Sequence, residues 1–129
     1  MELKYYGRDG QEISLEEWAA LLERIDGRRV AKTEVVTPTG QHILVSTVLI
    51  GLDMNYASEG PPIIFETMTF DETPGADDTD DRWRDIETRR YATEVEALQG
   101  HAEIVGWLEA FGYEPQDQER PVEIRQDDA

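Results

Sequence analysis

The sequence predicts an α+β domain, a mainly antiparallel sheet with the order β-α-β-β-β-β-α along the chain and two helices packed on one face. Three observations predict it. Two segments open with a capping box and continue with apolar residues at three- and four-residue spacing, the first at Ser14 and Glu17 and the second at Thr93 and Glu96. Between them lie runs rich in Val, Ile, Thr and Phe, which favour a pleated, half-buried surface. These runs are separated by turn and loop residues with no helical crossover, so neighbouring strands run antiparallel.

Residues 3–6 form a short strand candidate that ends at Gly7-Arg8-Asp9-Gly10, a turn supplied with two glycines and an Asp. Ser14 then caps a helix whose stripe is Leu15, Trp18, Ala19, Leu22 and Ile25, and Asp26-Gly27 is expected to close it through a left-handed glycine. Residues 28–36 and 42–52 form a hairpin about Thr37-Pro38-Thr39-Gly40. Residues 53–62 contain two prolines, Asn, Ser and Gly and read as an irregular loop. A strand over 63–70 places Ile64, Glu66, Met68 and Phe70 on one face and Ile63, Phe65, Thr67 and Thr69 on the other. An acidic loop over 71–85 joins it to a strand over 86–91. The second helix follows from Thr93 to Phe111-Gly112, with Val95, Leu98, Ala102, Val105 and Leu108 as its expected buried stripe. Residues 1–112 are therefore expected to form one domain and 113–129, with two prolines and six acids and no periodicity, an acidic, flexible tail.

Charge narrows the partner classes. Twenty-nine acids against twelve bases give −17, and residues 61–129 hold nineteen of the acids and only six of the bases. Asp71, Glu72, Asp77, Asp78, Asp80 and Asp81 share one eleven-residue stretch without a base. A field of this sign disfavours direct nucleic-acid binding and anionic membrane and favours a protein partner with a basic surface. The absence of cysteine excludes disulfides, thiolate zinc sites and a cysteine nucleophile and suits a reducing cytoplasm. No apolar run reaches the roughly 18 residues that span a bilayer, so a cytoplasmic location is expected.

Candidate chemistry is sparse. The acidic stretch lacks the glycine and glutamate positions of an EF-hand loop, and two unlinked histidines without cysteine do not make a transition-metal centre, so neither a metal nor a cofactor is assigned. Asp77, Asp78, Asp80 and Asp81, with Trp83 between Arg82 and Arg84, are the candidate partner-binding residues, Trp83 serving as an aromatic anchor. Glu16, Glu17 and Glu23 on the first helix, with Glu94, Glu96, Glu103 and Glu109 on the second, are rigidly placed charges that either solubilise the helices or imitate the phosphates of DNA. Glu66 sits within an apolar strand and needs a cation, for which Arg89 or Arg90 is the natural partner, so a structural ion pair is the expectation. His101 among Ala97, Leu98, Ile104, Val105 and Leu108 reads as a packed, hydrogen-bonded core histidine. The alternative for both is a ligand pocket formed with Asp53, Tyr56 and Arg90. No acid, base and nucleophile set is evident, so a binding role is favoured over an enzyme.

Several ordered motifs sharpen the context. Gly51-Leu52-Asp53 closes a strand, Phe65-Glu66-Thr67-Met68 follows Pro62, and Arg90-Tyr91-Ala92-Thr93 leads into Glu96-Ala97-Leu98-Gln99-Gly100-His101. Over most of residues 3–108 this resembles a group of small uncharacterised proteins of bacteriophages and actinobacterial prophages. The resemblance implies a phage-type accessory protein acting in the host cytoplasm by binding a host or phage component, with inhibition of a nucleic-acid-handling or defence protein as one form of that role. A small-molecule, nucleotide-like binder and a virion or assembly component are the alternative expectations.

Overall fold

In the computed structural model the described residues are 3–54, 60–74 and 85–112, the side chains of 85–87 excepted. Among the described residues nine elements follow in order: β1 (Tyr5–Tyr6), β2 (Glu12–Ile13), α1 (Leu15–Glu23), α2 (Ile25–Arg28), β3 (Arg29–Val36), β4 (His42–Leu49), β5 (Phe65–Asp71), β6 (Asp85–Tyr91) and α3 (Glu94–Phe111). β3, β4, β5 and β6 form one antiparallel sheet in sequence order, so the fold is α+β as the sequence predicts. β1 lies within the strand expected over 3–6; β2, which pairs with it across the Gly7–Gly10 turn, carries no sequence signal, because a two-residue strand is too short to show a period.

Both capping boxes form. Ser14 Oγ accepts from the Glu17 amide and Glu17 returns a carboxylate to the Ser14 amide, and Thr93 and Glu96 repeat the exchange. α3 ends at Gly112 with φ 75°, a left-handed conformation that suits glycine. Gly27 behaves differently from the expectation. It lies inside α2, without positive φ, and a Cβ there would stand 2.4 Å from the Leu21 carbonyl oxygen, so glycine is required for close approach rather than for helix termination.

α3 lies across the sheet, touching all four of its strands. α1 is held at the end of this layer, where Leu21 packs beside Leu49, Ile64, Phe65 and Ala97, and the Trp18 indole N–H donates to the Ile50 carbonyl at 3.1 Å. The face that α3 buries differs from the expected stripe. Val95 and Leu98 are exposed, and the buried residues are Ala97, Gly100, His101, Ile104 and Leu108. The physical reason lies in the sheet beneath, where Thr33, Thr47 and Thr67 present hydroxyls that need a polar partner, and Tyr91 needs room that only a glycine leaves. Apolar periodicity alone assigns His101 and Gly100 no inward weight.

The core is consequently split in two. Val35, Ile43, Val45, Ile104 and Leu108 form one cluster, and Leu49, Ile64, Phe65 and Ala97 the other. Thr47, between Val45 and Leu49 on β4, and His101, between Ala97 and Ile104 on α3, form the polar layer that separates them.

Candidate functional site

His101 is 6% exposed and both ring nitrogens are engaged. Nε2 meets Thr33 Oγ1 at 2.8 Å and Nδ1 meets Thr47 Oγ1 at 2.7 Å. Thr47 Oγ1 is bonded in turn to Thr67 Oγ1, and the Tyr91 hydroxyl donates to Thr67 Oγ1 at 3.1 Å. One proton arrangement satisfies every member. Thr67, accepting from Tyr91, donates to Thr47; Thr47 donates to Nδ1; and the proton on Nε2 goes to Thr33. His101 is then neutral, in agreement with burial, which pushes its pKa below the ordinary histidine value. The sequence identified His101 as a hydrogen-bonded core residue, but the three threonines that hold it come from three strands and carry no local signal.

Glu66 and Arg90 form the other polar feature of the sheet. They stand opposite each other on β5 and β6, with Arg90 Nε 2.9 Å from Glu66 Oε2, as expected of a structural ion pair. Thr67 faces α3, so its neighbour Glu66 projects from the opposite face by the two-residue period of a strand. Glu66 is therefore separated by the sheet from His101, while Arg90, on the edge strand β6, also borders a cleft beside α3. Asp53 is exposed and accepts from the Ile63 amide at 2.9 Å, pinning the ends of the loop. Tyr56 lies outside the described residues, as do Asp77, Asp78, Asp80, Asp81, Trp83 and the 113–129 tail. Glu66 and Arg90 come together; Asp53 and His101 do not join them.

A cleft of about 400 Å³ opens on the α3 side, at the β6 edge. Pro61 and Ile63 form one wall, Tyr91 and Gly100 meet within it, and Glu96, Gln99 and Glu103 line it from α3. The Tyr91 ring occupies the space of the missing Gly100 side chain, since a Cβ there would stand 2.2 Å from the Tyr91 hydroxyl oxygen. Arg89 and Arg90 also line the cleft; Arg89 Nη1 donates to Glu103 Oε1 at 2.9 Å, and Arg90 is held by Glu66.

The helices supply the electrostatics. α1 carries Glu16, Glu17 and Glu23, and α3 carries Glu94, Glu96, Glu103 and Glu109; neither contains a Lys or Arg. Four of these seven have structural work, Glu17 and Glu96 as caps, Glu103 with Arg89, and Glu94 with Arg8. Arg8, which the sequence read only as part of a turn, donates Nε and Nη2 to the two Glu94 oxygens at 3.1 and 2.8 Å and Nη1 to the Asp26 and Arg29 carbonyls at 3.0 and 3.1 Å. Hydrogen bonding to Arg8 holds the Glu94 carboxyl below the usual range. The described residues together hold seventeen acids and eight bases, so −9 of the −17 sits on them. No helix among them is long and apolar enough to cross a membrane, and no three His, Asp or Glu side chains among them are placed to hold a metal ion. Comparison with protein-family models, with curated proteins and with solved structures gives no match to this chain.

Proposed function

We propose that the chain is a non-enzymatic, phage-type accessory protein that binds a basic surface of a host or phage protein, an inhibited nucleic-acid-handling or defence protein being one such target. The observation that carries this reading is the single sign of its two long helices. A helix made merely soluble ordinarily mixes Glu with Lys or Arg at three- and four-residue spacing, each such pair adding about 0.2–0.5 kcal/mol. α1 and α3 place seven glutamates and no base, while the bases of the described residues lie on strands, turns and the short α2. Such a surface steers cationic partners and repels nucleic acid.

Affinity capture from host cells at increasing salt tests the proposal, with the wild-type chain beside a variant in which Asp77, Asp78, Asp80 and Asp81 are changed to Asn. A partner released by salt and weakened by neutralisation supports charge-driven binding; one that ignores both overturns it. The cleft beside α3, about 400 Å³, has the volume for a second reading, a binder of small nucleotide-like molecules. A thermal-shift screen with nucleotides tests it, because a ligand at 100 times its Kd adds about 2.7 kcal/mol of stability. A flat response across the panel removes it.

A further inference from the structure

We infer that the outward face of α3 and the cleft beside it form the docking surface for a basic segment of a protein partner, with one Lys or Arg side chain of that segment entering between Glu96 and Glu103. The inference rests on the proposed binding of a basic protein surface and states where on the fold it occurs. An 18-residue helix packed on a sheet normally turns charged residues outward. α3 turns Val95 and Leu98 outward, 75% and 45% exposed, with exposed Ala102 and Gly106 continuing the line. At 3.6 residues per turn Glu96, Gln99 and Glu103 follow one another along the flank of this line, and it is this flank that borders the cleft.

The cleft fits the end of a long cationic side chain better than an anion. Its titratable side chains are Arg89, Arg90, Tyr91, Glu96 and Glu103, and both bases are already engaged, Arg89 with Glu103 and Arg90 with Glu66. Among the described residues Glu96 and Glu103 each use only Oε1, on the Thr93 amide and on Arg89. Their second oxygens remain for an incoming cation. Pro61, Ile63 and the Tyr91 ring over Gly100 supply the apolar walls against which the methylene stem of Lys or Arg packs while its charge reaches the rim. The partner's apolar side chains then cover Val95 and Leu98. Charge complementarity selects this occupant, since a second copy of a −17 chain would bring four more glutamates to an α3 that has no base.

The probe is a short helical peptide of Leu, Ala, Lys and Arg, titrated into the 15N-labelled full chain and followed by amide shifts. Three proteins are compared: wild type, Glu96→Gln with Glu103→Gln, and the loop variant with Asp77, Asp78, Asp80 and Asp81 changed to Asn. Glutamine at 96 retains the capping box. The expected result is shifts centred on residues 89–103 and affinity lowered about tenfold in the Glu96/Glu103 variant, with a smaller loss in the loop variant although it removes twice the charge. Gln99→Lys, which leaves the cap and the Arg89 pair intact, gives the same loss and serves if the double variant does not fold. A peptide that binds with shifts elsewhere, or loses more affinity in the loop variant, overturns the docking site while the basic-partner reading stands. A peptide that does not bind at about 20 mM salt, where screening is weakest, overturns both.

Discussion

Thr47 is the residue on which the buried polar layer turns, because its hydroxyl links His101 to Thr67 and so joins β4, β5 and α3. Thr47→Val keeps the volume and strands the His101 Nδ1 acceptor and the Thr67 proton. The expected loss in chemical denaturation is about 1–3 kcal/mol, the cost of leaving buried polar groups unmade. Changing Thr33, Thr47 and Thr67 to Val together with His101→Leu should cost less than the sum of the single changes, since only the Tyr91 hydroxyl, at the cleft, then loses its partner in the network. His101 also sets a pH dependence. Burial lowers its pKa in the fold, so the unfolded chain takes up the proton first. Stability is complete above the ordinary histidine value of about 6.5 and falls as pH drops from there toward the folded value, by at most about 1.4 kcal/mol per pH unit. Denaturation midpoints between pH 7.5 and 5 check this, and His101→Gln should flatten the slope; an unchanged slope would mean that another group titrates.

Among the elements, α3 shows how much of the fold was legible and where legibility stopped. Its ends were plain in Thr93, Glu96 and Gly112, because caps are local chemistry read within four residues. His101 was read as inward, but the apolar stripe was misplaced by about a quarter turn, because Gly100 is inward to leave room for a tyrosine and the threonines that His101 meets lie on other strands. The Glu66–Arg90 pair was legible, since a lone charge in an apolar strand calls for its opposite on the neighbour. Arg8 was not, because its five-donor fork bridges three segments that sequence spacing does not bring together. That bridge fixes the β1–β2 hairpin, α2 and the first turn of α3 to one another. Arg8→Lys should therefore lower stability by about 1–2 kcal/mol, as a single ammonium cannot serve both Glu94 oxygens and two carbonyls. In a double-mutant cycle with Glu94→Gln the two losses should fall short of additivity; full additivity would show that the pair is not coupled.

For the molecule as a whole, −17 acts on stability in two opposed ways. Self-repulsion among the acids favours expansion and is relieved by salt. The pairs Arg8–Glu94, Glu66–Arg90 and Arg89–Glu103 are weakened by the same salt, but each has one partner that is substantially buried or bidentate, and screening reaches such pairs less than exposed charges. Repulsion should win. Raising NaCl from about 0.02 to about 0.5 M, which shortens the screening length from roughly 20 Å to roughly 4 Å, is expected to raise Tm by several degrees, since about 1 kcal/mol moves a domain of this size by about 4 °C. Changing Asp77, Asp78, Asp80 and Asp81 to Asn should raise Tm at low salt and leave less for added salt to recover. A Tm that falls with NaCl would assign the larger share to the three ion pairs, and the acids would then be neutralised within the fold rather than left as the surface on which a basic partner depends.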